Sequence, residues 1–183
     1  MRVFIASSGK EGILNIYKEL ASGVATILAR NNFKLVYGGG DTGMMGTTYM
    51  TYKYEGKKVK GFYDITDATV AERLELDAID VSPNTFERTK RLYDHADLIV
   101  ILPGGVGTLA ELYSVIVEKQ TKNDINKRIV LFNYNKYFDN ILYHFKDMLD
   151  ERFITEDTLQ MFDIITNLND FEEYINKINK EEE

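Results

Sequence analysis

The stretch that most limits what this chain can fold into runs from Leu98 to Thr108. Leu98-Ile99-Val100-Ile101-Leu102 is apolar at every position, and Pro103-Gly104-Gly105-Val106-Gly107-Thr108 follows at once. A strand without a polar residue needs cover on both faces, which a parallel sheet flanked by helices supplies and a half-exposed antiparallel sheet does not. Six more short runs, at residues 3–6, 34–37, 59–63, 78–81, 129–132 and 163–166, read as strands. Between them apolar residues recur at helical spacing: Ile13, Tyr17, Leu20, Val24 and Leu28; Leu109, Leu112 and Ile116; Phe138, Leu142, Phe145 and Leu149. Repeated βα units predict an α/β fold with a doubly wound, mostly parallel, Rossmann-like sheet in a three-layer sandwich.

The 183 residues fit one nucleotide-binding domain spanning 1–183, and no Pro/Gly/Ser-rich linker or internal repeat divides them. The last stretch, 170–183, carries Phe171, Tyr174, Ile175 and Ile178 on one helical face and ends in Glu181-Glu182-Glu183, a docking helix with a solvated tail. Residues 63–82 are the least regular part and read as loop and short helix near the mouth of the site.

A formal net charge of −7 removes any general attraction to nucleic acid or anionic lipid, so local groups must hold a bound phosphate. Without cysteine, the chain has no disulfides, zinc–thiolate sites or thiol nucleophiles. The apolar run at its N-terminus is too short for a signal peptide, and no run reaches the roughly 18 apolar residues that cross a bilayer, which makes the cytoplasm the default location. His95 and His144 stand apart without acidic companions at ligand spacing, so both read as structural and no metal or cofactor is expected. Tyr49, Tyr52 and Tyr54 read as packing residues.

Two glycine clusters carry the chemistry. Gly38-Gly39-Gly40-Asp41-Thr42-Gly43-Met44-Met45-Gly46 follows one strand, and Gly104 to Thr108 follows another. Glycines let backbone approach a ligand closely, and the N–H groups and dipole of the next helix attract an anion. One such cluster is as often a tight turn, and Thr108 as often a helix cap; two clusters in the same strand–loop–helix setting favour binding. Glu111 lies one helical turn after Gly107 and can reach a ligand on that loop, or else it pairs with the helix dipole. Arg88, in the mixed-charge run Phe86-Glu87-Arg88-Thr89-Lys90-Arg91, suits a bidentate phosphate contact or a solvated helix face. Both loops also fit G-x-G-x-x-G/A, and Asp64 falls roughly where a dinucleotide fold places its ribose-binding acid.

Val36 to Gly46 together with Pro103-Gly104-Gly105-Val106-Gly107-Thr108-Leu109-Ala110-Glu111 closely resembles the Lonely Guy (LOG) family, phosphoribohydrolases of cytokinin riboside 5′-monophosphates and related nucleotides. The PGGxGTxxE motif is the specific part of the match, and Ser7-Ser8-Gly9 looks like the family's first strand-end loop. The resemblance implies that Glu111 and Arg88 are catalytic. It also implies that Ser8, Gly39, Gly40, Gly43, Gly104, Gly105, Gly107 and Thr108 bind substrate phosphate, and that the protein is a homodimer. The lysine that follows the family's arginine is Thr89 here, with Lys90 one place later. The implied reaction is hydrolysis of the N-glycosidic bond of a nucleoside 5′-monophosphate. A non-catalytic nucleotide-binding module of the same fold is the alternative, and an NAD-binding protein using Asp64 ranks third.

Overall fold

The computed structural model describes residues 1–66 and 71–181. Its centre is a seven-stranded sheet whose recorded strand pairs are all parallel. The strands are β1 (Arg2–Ala6), β2 (Lys34–Tyr37), β3 (Val59–Asp64), β4 (Ala78–Ser82), β5 (Leu98–Ile101), β6 (Arg128–Phe132) and β7 (Asp163–Ile165), in the spatial order β4-β3-β2-β1-β5-β6-β7. All seven fall on the runs read from the sequence. The chain builds outward from β1 to β4, then returns to lay β5 along the other side of β1, with Val3 opposite Leu98 and Ala6 opposite Ile101. The order therefore reverses between β1 and β5, and the loops beyond the carboxyl ends of these strands flank the crevice that such a reversal opens.

Helices α1 (Asn15–Arg30), α2 (Gly43–Tyr54), α3 (Thr85–His95), α4 (Val106–Lys122), α5 (Asp139–Asp150), α6 (Glu156–Leu159) and α7 (Leu168–Glu181) cover the sheet. Alternate residues of the central strands point to opposite faces, so β1 sends Val3 and Ile5 into one core and Phe4 and Ala6 into the other. The first core takes Leu20, Val24 and Leu28 of α1 and Phe171, Ile175 and Ile178 of α7. The second takes Leu92 of α3, Leu112 and Ile116 of α4 and Phe145 of α5. That is the three-layer sandwich expected, with α7 as its docking helix; Glu182 and Glu183 of the expected tail lie outside the described residues. Of the irregular stretch 63–82, the two ends are the strands β3 and β4, while residues 67–70 lie outside the described residues.

Lys127, 9% exposed, holds the end of α3 by donating to the main-chain carbonyls of Tyr93 and Ala96 where the helical ladder ends. His95 stacks near Phe62 with ring centroids 4.9 Å apart, a packing role as read. Tyr49 and Tyr52 are buried, but Tyr54 is 89% exposed and corrects the packing assignment: it is the last residue of α2, beyond the reach of the sheet.

The first glycine cluster also differs from the reading. Helix α2 already begins at Gly43, so only residues 38–42 form loop. Gly43 has a φ of +61°, and a Cβ there would lie 2.7 Å from the backbone of Gly9 and Lys10 and 2.8 Å from the Ser8 carbonyl oxygen. The N–H groups of Met44 and Met45 both donate to that carbonyl, at 2.8 and 3.2 Å. Gly43 thus locks α2 onto the loop after β1. Gly43→Ala is expected to cost about 2–4 kcal/mol in urea unfolding, whereas Gly56→Ala, at a φ of +67° with no atom within 4 Å of the added Cβ, is expected to cost about 1 kcal/mol. Equal losses would show that backbone conformation, not the contact with the first loop, is what Gly43 provides.

Candidate active site

Three strand-end loops and two helices converge where the strand order reverses. After β2 the chain turns through Gly38-Gly39-Gly40, and the Tyr37 hydroxyl donates back to the Gly40 carbonyl to set the turn. After β1, Ser8 Oγ accepts the Lys10 N–H at 3.1 Å, which leaves the hydroxyl proton of Ser8 to donate elsewhere. After β5, the turn Pro103–Gly105 leads into α4. A Cβ on Gly104 would fall 2.1 Å from Thr108 Oγ1, so only glycine admits the Thr108 side chain beneath the turn. Thr108 is the third residue of α4 and does not cap it; Gly105 occupies the cap position without a side chain to contribute. Helix α4 therefore begins with no side-chain cap and no acid in its first turn, and its partial positive charge is directed at the crevice.

Helix α3 starts at an Asn84 cap whose side chain accepts the Glu87 N–H at 2.9 Å, and Arg88 follows one turn later. The guanidinium of Arg88 donates from Nη1 to the Gly38 carbonyl at 3.1 Å and from Nη2 to Glu111 Oε1 at 3.4 Å. Both side chains are largely buried, 13% exposed for Arg88 and 15% for Glu111. The Arg88 Nε–H has no hydrogen-bond partner among the described residues, nor does the buried Ser7 hydroxyl at the end of β1. Buried donors left in this state cost free energy unless a ligand or water satisfies them. Burial pushes the Glu111 carboxyl up to about 7, against the opposing pull of the Arg88 charge. At neutral pH it is poised between its two protonation states, as suits an acid–base group.

The cleft formed in this way measures about 360 Å³ and brings together Ser8, Gly39, Gly40, Arg88, Gly105, Gly107, Thr108 and Glu111. Gly43 and Gly104 do not line it: Gly43 packs helix against loop, and Gly104 makes room for Thr108 while its carbonyl accepts from the Tyr137 hydroxyl at 2.7 Å. Ser7, Gly9, Gly38 and Met45 also line the cleft, from within the loop segments read in the sequence but not named there as binding residues, and so does Tyr63. Ser7 and Tyr63 lie at the carboxyl ends of β1 and β3, and that position was the available signal. Asp64, the candidate ribose-binding acid, is buried and accepts from the Thr66 N–H and from the hydroxyls of Thr66 and Thr85; these hydrogen bonds hold its pKa down to about 2. Its carboxylate ties β3 to the start of α3 instead of facing a ligand. Among the described residues no group of three or more His, Cys, Asp or Glu is placed to hold a metal ion, and no helix is long and apolar enough to cross a membrane.

The chain is similar in sequence to proteins of known name. Over 143 residues the chain is 33% identical to the protein of Oryza sativa subsp. japonica named "Probable cytokinin riboside 5'-monophosphate phosphoribohydrolase LOG4", covering 76% of this chain and 61% of that protein, less than two thirds of its length. It is 31% identical over 144 residues to the cytokinin riboside 5′-monophosphate phosphoribohydrolase of Rhodococcoides fascians, covering 78% of this chain and 72% of that one. Among solved structures, the molybdenum cofactor binding protein of Rippkaea orientalis superposes with a TM-score of 0.70 over 97% of this chain and 96% of its own at 16% identity, a likeness of fold. Residues 45–175, which run from α2 through Arg88, the second glycine loop and Glu111 to α7, match the family described as "Possible lysine decarboxylase". With the PGGxGTxxE loop and its glutamate at the strand reversal, this chain belongs to that family, the LOG family.

Proposed function

We propose that the chain acts, as one domain, as a nucleoside 5′-monophosphate phosphoribohydrolase, cleaving the bond between base and ribose. The observation that carries this reading is the pairing of Glu111 and Arg88 beside the open end of α4. The 5′-phosphate would sit on the first-turn N–H groups of α4 at Gly105–Thr108, with the Ser8 hydroxyl as a further donor, and this anchor positions the ribose. Glu111, one turn on, would then face the anomeric carbon. In the reaction water adds to C1′, the C1′–N bond breaks, the base leaves with a proton, and ribose 5-phosphate remains. The Glu111 carboxylate supports the oxocarbenium-like charge and takes the proton of the attacking water, while Arg88 orients phosphate or ribose through its unpartnered Nε–H. Cytokinin riboside monophosphate is the substrate that the names of the relatives favour, and AMP is the unmodified nucleotide of the same form.

Chromatography of free base released from AMP and its N6-isopentenyl analogue tests this directly. Glu111→Gln is expected to lower turnover about 10²- to 10⁴-fold with little loss of nucleotide binding. Arg88→Lys, which cannot reach both the Gly38 carbonyl and Glu111, is expected to lower kcat/KM by about 10²-fold. Nucleotide binding without base release by the wild type would instead establish a non-catalytic binding module.

The protonation of Glu111 has a separate signature in stability. Its folded pKa of about 7 exceeds the unfolded value of 4.5, so its favourable contribution is complete below pH 4.5 and lost as the pH rises through 7. Relative to Glu111→Gln, the wild type is expected to lose about 3 kcal/mol in urea unfolding between pH 4.5 and pH 8. A difference that is constant with pH would remove the buried titration.

The reading includes a homodimer. Phe86 at the start of α3 and Val106 at the start of α4 are 86% and 85% exposed beside the cleft, and apolar side chains so placed suit a second copy. Light scattering is expected to give a dimer for the wild type and a monomer for Phe86→Asp combined with Val106→Asp; a monomeric wild type would overturn it.

A further inference from the structure

The strand reversal has a second mouth that the reaction above does not use. On the opposite side of the turn Pro103–Gly105 lies a groove of about 400 Å³, walled by Ile13, Leu14 and Tyr17 at the start of α1, Met44 of α2 and Tyr137 after β6. It shares Ser8 and Gly105 with the catalytic cleft, so the two spaces meet at the phosphate loop. Its character is different: Leu14 is 66% exposed and Tyr137 43% exposed, whereas glycines and the charged pair line the cleft. The Tyr137 ring is fixed at both ends, by its hydroxyl bond to the Gly104 carbonyl and by an edge-to-face contact with Tyr17 at 5.8 Å and 74°. A rigid, partly exposed aromatic wall beside an anion loop is the kind of surface that receives a planar or apolar ligand group.

The position of the groove identifies that group. In a doubly wound sheet a two-part ligand crosses the reversal, one half over the strands on one side and the other half over those on the other, with its phosphate linkage between them. Here both spaces use the loops after β1 and β5; from these the catalytic cleft extends toward the ends of β2 and β3, and the groove toward the start of α1 and Tyr137 after β6. We infer that the site accepts nucleotides whose 5′-phosphate is esterified a second time, with an apolar or aromatic group on the far side of the phosphate lying in the groove between Leu14, Tyr17 and Tyr137. This rests on the placement of the phosphate at Gly105–Thr108 proposed above. Lys10 also lines the groove and offers a cation to a linkage longer than one phosphate.

Three ligands separate the possibilities: AMP, its 5′-phosphate methyl ester and its 5′-phosphate phenyl ester, titrated calorimetrically into the full chain. The two esters carry the same single charge, so the phenyl-to-methyl ratio reads the groove alone. The phenyl ester is expected to bind about tenfold tighter than the methyl ester or better. Leu14→Asp, at an exposed position that a thermal melt will show to leave the fold intact, is expected to bring the ratio close to 1. Equal binding of both esters alongside measurable AMP binding would overturn the groove assignment while leaving the phosphate site standing. Failure of all three to bind would remove the phosphate placement and the groove assignment with it.

Discussion

The functional end of the molecule depends on one carbonyl. The Ser8 oxygen, just past the end of β1, accepts the N–H groups of both Met44 and Met45. In doing so it uses up the start of α2, the helix that follows the first glycine run, and Gly43 permits the approach because any side chain there would meet the backbone of the loop. Of two glycine-rich strand-to-helix connections, one is thereby committed to holding loops together and the other, at α4, keeps its N-terminus open. The sheet order makes both loops neighbours; hydrogen-bond accounting decides which of them can take an anion.

Around that open helix the protein maintains two costly features. Glu111 is a carboxyl whose ionised form is disfavoured by burial, and Arg88 is a guanidinium whose Nε–H has no partner among the described residues. A structural ion pair would be expected to close on itself with two parallel bonds, yet this one meets through a single contact at 3.4 Å while the arginine spends its other arm on the Gly38 carbonyl. Such an arrangement stabilises the folded chain little and leaves both groups able to redirect toward a third. Rigid supports surround it: Asp64 fixes the start of α3 through Thr85, and Lys127 fixes its end. Arg88 is therefore held by a helix anchored at both ends.

Much of this was legible in the sequence because its signals are local. An uninterrupted apolar run such as 98–102 implies burial on both faces wherever it sits, and a glycine cluster directly after it marks the strand-end loop. What stayed illegible depends on contacts distant in the chain. The role of Gly43 is set by Ser8 and Gly9, more than thirty residues earlier, so its motif position pointed to phosphate where packing uses it. Asp64 had the right offset for a ribose acid, but Thr85 engages its carboxylate from across the β3–β4 crossover. Thr108 has a capping side chain, yet Gly105 begins the helix three residues earlier and leaves Thr108 beneath the turn. In each case residue type and spacing were right and the partner was not visible.

The same electrostatics limit how the proposed chemistry can run. Bringing a phosphate anion near Glu111 raises the cost of ionising it further, and a chain of net charge −7 offers no general compensation. The compensation must come from Arg88 and the start of α4. If Arg88 turned wholly to the phosphate, Glu111 would lose the charge that opposes its burial and would hold its proton at neutral pH, unable to accept one from water. If Arg88 stayed wholly with Glu111, the phosphate would rest on main-chain N–H groups and the Ser8 hydroxyl without the guanidinium charge. The geometry avoids either extreme, since Nη2 reaches Glu111 while Nε–H remains to be satisfied from the cleft. A single planar guanidinium can serve both anions at once, which a lysine ammonium at this position could not do with fixed geometry.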